Sequence, residues 1–565
     1  MKKQSIKVLT LLVAASTLVT GCKLLKEVNY TVTPDPLEMH GDSVRVKVDI
    51  TFPEKSLNKK ATVEVVPMIG DVTLTPIKIQ GEKATGNGDV VAYKAGGTVT
   101  YEDVVAYNPS MEAADFTATG KLYKGEKLKG ELDATKIADA TIITPYLVNK
   151  DFKVILANDE FRRVTQETFA CQINFAKGKH AVSASEMRDD DIKAYEEFLA
   201  DAQTNPKVEI KNVNVIGHAS PEGEVDKNNN LSDDRATAGK ESSIKVAKKA
   251  KNDTVQGSLY NLTGSGEDYD GFKMELQNDS IMNEDDKNLV LRILETIKDP
   301  AQRETEMRNM GKTFTYLDKN IFPKLRRAEI NVSYDRTGFS DEELKANSVS
   351  NPDTLNLEEL LFTATLYDDL NEKLRIYKIA EGRYADDYRA ANNIGAVLYM
   401  QNKVSEAKSQ FEKANGIEDN VISKNNLGAV AGVEGDRSKS KELLEQANGA
   451  GSEVNYNLGI HNIQDGDYAS AVSNFGTEAS FNKALAELLN GSNAIDGTVD
   501  GSADAESAQG YYLKAIASAR KDDLEGIVSN LKSAIAKDGA FKAKASKDRE
   551  FIKYMENASF TAIVN

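Results

Sequence analysis

Three domains of different class are predicted, in the order all-β, α/β and all-α, and three observations predict them. Short alternating runs rich in Val, Thr and Ile fill the chain up to about residue 165. A strand, a polar loop and a helix start follow one another at 208–236. A glycine-centred helical pattern returns three times after residue 390. The predicted fold is therefore multidomain: an N-terminal all-β sandwich, a central α/β domain and a C-terminal all-α solenoid. A length of 565 residues fits such a division, at about 150 residues per domain.

The β assignment for 37–165 comes from SVRVKVDITF, ATVEVVPMI, DVVAYKAGGTVTY, FTATGKLY, TIITPYLV and KVILA. These runs alternate or stay apolar, and Gly, Asp, Asn and Lys fill the breaks between them. Strands at such spacing point to a sandwich, with an immunoglobulin-like one as the nearest pattern. No catalytic constellation falls here, and the region reads as a spacer or adhesive module.

Before it, residues 1–22 carry lysines at 2, 3 and 7, an apolar core and the ending Val19-Thr20-Gly21-Cys22. This is the layout of a secretory signal peptide, and its end resembles a bacterial lipobox. The resemblance implies that Cys22 becomes the acylated (palmitate-bearing) N-terminus of a lipoprotein. Several acyl chains, at about 0.8 kcal/mol per buried CH₂, anchor a protein durably. Residues 23–36 form a short tether. Lys23 and Lys26 follow Cys22, without the Asp or acidic cluster that redirects other lipoproteins. The expected location is the periplasmic side of the outer membrane, with the cell surface left open. The second cysteine, Cys171, alternates with apolar residues in TFACQINF and reads as a buried free thiol.

The centre of the chain is 208–236. Val213 and Val215 share one face of a strand, and Gly217 and Ser220-Pro221-Glu222-Gly223 break it. A polar loop then leads to a helix expected to start at Ser232 or Asp233 and to carry Arg235 near its N-terminus. GHASPEG followed by NNNLSDDRA resembles the signature of OmpA-like peptidoglycan-associated domains, with Gly217, His218, Gly223, Asn228, Leu231, Ser232, Arg235 and Ala236 in register. That family closes on a strand introduced by paired arginines, and FPKLRRAEINV supplies Arg326 and Arg327. The resemblance covers 167–335, with an insertion at about 245–315. It implies a peptidoglycan ligand held through an Asp on its amine and an Arg on its carboxylate. Arg235 matches the Arg, but Ser220 stands at the Asp position. A hydroxyl cannot supply the full charge that a carboxylate sets against an ammonium. Glu222 is the nearest carboxylate able to substitute. The candidate ligand-binding set is thus Ser220, Glu222, Asn228, Arg235, Arg326 and Arg327.

Residues 336–354 are polar and read as a linker. Beyond them NNIGAVLYMQNKVSEAKSQFEKA recurs as NNLGAVAGVEGDRSKSKELLEQA and YNLGIHNIQDGDYASAVSNFGTEA. Gly395, Gly428 and Gly459 lie 33 and 31 residues apart. This resembles the tetratricopeptide repeat, a pair of antiparallel helices of about 34 residues. The repeats are expected over 355–545, with a C-terminal tail at 546–565. The resemblance implies a right-handed solenoid whose concave groove takes a segment of a periplasmic or outer-membrane protein.

A net charge of −17 argues against nucleic acid. His40, His180, His218 and His461 are scattered with no zinc spacing, and no nucleophile elbow, Walker loop or dinucleotide fingerprint occurs. No enzymatic activity, metal or cofactor is expected. Two readings follow: a Bacteroidetes-type lipoprotein that staples the outer membrane to peptidoglycan, or a scaffold of an envelope assembly whose OmpA-like domain no longer binds peptidoglycan.

Overall fold

A computed structural model describes residues 24–565, so Cys22 and the signal peptide lie outside the described residues. The chain forms two compact units. One combines the part up to Asn158 with Tyr367–Asn565, and the other is Asp159–Leu366.

The first unit starts as two sheets around one core. Ser43–Phe52 is flanked by Asn29–Val32, Met39–His40 and Gly97–Ala106. The second sheet runs in the order Lys127–Asp139, Asp115–Lys124, Ala61–Ile69, Ile77–Gly81 and Asp89–Val91. Alternation decides which side is buried. Val44, Val46, Val48, Ile50 and Phe52 point inward from one sheet, and Ala61, Val63, Val65 and Ile69 from the other. Regular pairing ends at Asp139. The strands expected at TIITPYLV and KVILA are absent: Thr144–Leu147 is a 3₁₀ turn, and 148–162 belongs to no sheet.

The remainder of this unit is helical and paired. Tyr388–Met400 packs on Val404–Ile417, Val421–Glu434 on Arg437–Gln446, Ser452–Asp465 on Tyr468–Phe475, and Ala508–Arg520 on Leu524–Lys537. Each repeat glycine faces a bulky residue of its partner helix. A Cβ at Gly428 would lie 2.9 Å from Leu444, and one at Gly459 would lie 2.8 Å from Phe475. At Gly395 it would meet the Phe411 ring at 2.6 Å and the Ala407 carbonyl oxygen at 3.1 Å. Rotating the ring leaves the carbonyl in place, so Gly395→Val is expected to cost about 1–3 kcal/mol. A lower melting temperature followed by circular dichroism at 222 nm checks this. The expected tail is instead structured. Ala540–Ala545, Arg549–Tyr554 and Ala558–Val564 bury Phe541, Phe551 and Phe560 against the last pair, closing an end that would otherwise expose apolar surface.

The second unit is a four-stranded sheet in the order Val164–Asn174, Arg327–Thr337, Val208–Ala219, Tyr260–Glu267. The first three are antiparallel and the last is parallel to its neighbour, as the helical crossover Val225–Lys249 requires. That helix and Asp190–Thr204 share the core with Cys171, Val213, Val215, Ile330 and Val332. Burial pushes the Cys171 thiol up to about 12, so it stays protonated and inert.

Three sequence expectations change here. The crossover helix begins at Val225, well before Ser232, so Arg235 sits in its interior without free N-terminal amides. Asn228, Asn229 and Asn230 read as loop because Asn is a weak helix former. The insertion is Tyr269–Leu325, a set of short helices around their own core of Phe272, Leu276, Val290, Leu294, Met307 and Phe322. Finally, the expected linker holds the helix Asp341–Ser350, started by a capping box between Ser340 and Glu343 and fixed by buried Leu344.

Candidate functional site

The sequence-selected residues of the α/β unit converge on one cluster. Gly223, at φ +112°, turns the chain from the strand Val208–Ala219 into the crossover helix. Asn228 then reaches back, donating from Nδ2 to the Ser220 carbonyl (3.3 Å), the Glu222 carbonyl (3.4 Å) and Glu267 Oε1 (2.8 Å). The strand Arg327–Thr337 brings both arginines alongside. Arg326 donates to Glu222 Oε1 from Nη2 at 2.5 Å and from Nε at 3.0 Å, and Nε also reaches Ser220 Oγ at 3.2 Å. Asp318, from the insertion, accepts from Arg326 Nη2 at 2.9 Å. Glu304, also from the insertion, accepts from the Gly223 amide.

These groups face one another instead of solvent. Ser220, Glu222, Asn228, Arg326 and Arg327 are all buried, and Arg235 is 1% exposed. Arg235 donates from Nη1 to the His218 carbonyl (2.7 Å) and from Nε to the Lys179 carbonyl (3.2 Å), with its guanidinium over the Phe175 ring. Burial, with Arg326 nearby, brings Arg235 down to about 10, which leaves it charged at neutral pH. Burial raises the Glu222 carboxyl above its usual range, and Arg326 partly offsets that. The carboxylate expected to stand in for the missing aspartate is therefore already taken by an arginine of the same cluster.

Arg327 differs from the others. It bridges Asp268 (2.8 Å) and Glu329 (2.7 Å), and it lines an open cleft of about 550 Å³ with Gln172, Asn174, Glu275, Lys324 and Glu329. The His218 ring and the Arg327 guanidinium hold the Glu329 carboxyl down at about 2. Among the described residues no group of His, Cys, Asp and Glu side chains is arranged to hold a metal ion, and no helix is long and apolar enough to cross a membrane.

The first unit holds a second candidate site, outside the binding set named from the sequence. Residues 149–157 run along the helices Tyr388–Met400, Val421–Glu434, Ser452–Asp465 and Phe481–Leu489, clasped by one asparagine from each. Asn482 takes the amide and carbonyl of Asn149 (both 2.8 Å). Asn457 does the same for Lys153 (2.7 and 2.8 Å), and Asn426 for Ile155 (2.7 and 2.8 Å). Asn393 does so for Ala157 (2.7 and 2.9 Å). A carboxamide offers one acceptor and a donor pair, so it presents to each residue what a neighbouring strand would. Asn392 and Asn425 add bonds to the Ile155 and Lys153 carbonyls, both at 3.1 Å. All six asparagines are buried. The strap has one deep anchor: Phe152 is 2% exposed, lies over the bare face of Gly432 and packs 5.1 Å from the His461 ring. Asn393, Asn426 and Asn457 each stand two positions before a repeat glycine, a recurrence visible in the sequence.

No family model matches the chain, and no curated protein matches it. Solved structures give loose likenesses. A tetratricopeptide repeat protein from Parabacteroides merdae is 15% identical over 39% of this chain and 90% of its own, with a TM-score of 0.27. YrrB, described as a TPR protein with an unusual peptide-binding site, is 20% identical over 36% of this chain and 99% of its own, with a TM-score of 0.22. Yeast Tom70 is 12% identical over 51% of this chain and 70% of its own, with a TM-score of 0.24. Likeness of that order carries no inference about this chain, whose helix pairs stand on their own geometry.

Proposed function

We propose that the chain is a non-enzymatic scaffold of a bacterial cell envelope. It would be an outer-membrane lipoprotein held by acyl chains on Cys22, an assignment checked by the mass of the mature N-terminus. Its α/β unit keeps an OmpA-like form without a working peptidoglycan site, and its tetratricopeptide-like array handles polypeptide. The observation that carries this reading is the closed cluster. Arg235 already serves two backbone carbonyls, and Glu222 is already paired with Arg326. A carboxylate ligand would have to displace both arrangements, and leaving Glu222 buried without its arginine is strongly unfavourable.

One feature favours the cell-wall reading instead: the open cleft at Arg327. Co-sedimentation with purified sacculi separates the two. The expected result is that the wild type stays in the supernatant, as does Arg327→Ala. Saturable pelleting of the wild type that Arg327→Ala abolishes would establish peptidoglycan binding through the cleft.

A further inference from the structure

We propose that the asparagine-lined groove is a receptor for an extended polypeptide, and that residues 149–157 occupy it as an internal competitor which a partner segment of the same chemistry displaces. This rests on the scaffold reading and adds to it the partner class and the control of the groove.

The strap itself defines the ligand. Asn149, Lys153, Ile155 and Ala157 are bound by amide and carbonyl, and those contacts read no side chain. The exposed Lys153 side chain pairs with Asp151 of the strap and lies over the Tyr456 ring, 5.0 Å from its centroid. Side chains are read at Asp151, which accepts from Tyr456 Oη (2.9 Å) and Asn482 Nδ2 (3.0 Å), at Phe152, seated over Gly432, and at buried Ala157. A partner would therefore supply an unpaired extended segment with an acidic residue just before an aromatic one and a small residue five positions after the aromatic.

Covalent attachment explains how such a groove is kept shut. A tethered segment acts at an effective concentration on the order of millimolar. A free segment of equal intrinsic affinity then competes poorly until the strap leaves.

The test uses the full chain with residues 149–157 replaced by a Gly/Ser segment of equal length, shown to be folded by unchanged helical circular dichroism. The probe is a fluorescein-labelled peptide spanning residues 147–159. The replaced chain is expected to bind it one to one, and the wild type at least a hundredfold more weakly. A peptide carrying Phe152→Ala should bind at least tenfold more weakly than the parent. A folded replaced chain that does not bind, or a wild type that binds equally well, overturns the proposal.

Hydrogen exchange on the wild type decides the matter even if the replaced chain fails to fold. The amides of Lys153, Ile155 and Ala157 should exchange well before those of Tyr388–Met400 and Val421–Glu434, as a locally opening segment does. Exchange of the strap only together with those helices would make it a permanent part of the core, and the proposal would fall. The sacculus experiment is independent of both readouts, so failure of the competitor leaves the scaffold reading to be judged separately.

Discussion

Replacing Arg326 by alanine is expected to destabilise the α/β unit by about 3–5 kcal/mol, the usual result of stranding one member of a buried ion pair. The side chains of Arg326 and Glu222 are 7% and 5% exposed. Truncation leaves the Glu222 carboxylate buried without its guanidinium, and Ser220 loses its donor as well. The pH dependence of the loss follows from Glu222. Burial already raises its carboxyl above the ordinary value, and removing Arg326 removes the main influence that lowers it. A carboxyl whose folded value lies above its unfolded one takes up a proton more readily in the folded chain. Its penalty is therefore absent at low pH and grows as the pH rises from about 4.5, the unfolded value, through the raised folded one. The deficit in Arg326→Ala should be largest at neutral pH and shrink on acidification. Replacing the pair together, as Glu222→Gln with Arg326→Met, should recover much of the stability. Buried Cys171 supplies a reporter confined to this unit: in a Cys22→Ser background it is the sole thiol, and its labelling against urea reads the opening directly. An unchanged labelling midpoint in Arg326→Ala would mean that the ion pair contributes nothing.

Truncating Phe152 to alanine is the second large effect. Removing a buried phenylalanine costs about 3–5 kcal/mol, and at this position the loss falls on a segment held otherwise by hydrogen bonds. About two to three and a half orders of magnitude in strap opening follow from that figure. Amide exchange at Lys153, Ile155 and Ala157 should accelerate accordingly, while the helices they lie against keep their protection. Lys150→Ala is the control. Its side chain is exposed and makes no hydrogen bond, ion pair or ring contact among the described residues, so exchange should barely change. Equal acceleration in both variants would remove Phe152 as the anchor.

Much of this was legible in the residues, and what was not has identifiable causes. Gly395, Gly428 and Gly459 announced the helix pairs because only glycine lets Phe411, Leu444 and Phe475 approach that closely. The polar residues of 217–236 and the two arginines announced their own convergence, since no other stretch combines them. Their orientation was not announced. An arginine in a binding site and an arginine bonded to its own chain's carbonyls have the same sequence signature, and the bonds of Arg235 to the His218 and Lys179 carbonyls are visible only in the fold. KVILA read as a strand because it is extended and apolar. Its partners turned out to be carboxamides, and no strand ladder is involved. Asn393, Asn426 and Asn457 escaped notice because a polar residue recurring on a helix ordinarily marks a solvated face. Only the fold reveals that this face lines a groove already filled.

The ladder also dictates an order of events during biosynthesis. Its rungs join residues between 236 and 333 positions apart, with the whole of Asp159–Leu366 between them. A growing chain exposes Phe152, Val154 and Ile155 long before Asn393 has been made, and longer still before Asn482. The sandwich and the α/β unit draw on nearby segments and can form as the chain emerges, whereas the strap has to wait. Contacts so distant in sequence form slowly and late, and an apolar extended run left unpaired meanwhile is open to pairing with other chains. Closing the ladder is thus a late step of maturation, and a nascent molecule is more adhesive than a finished one.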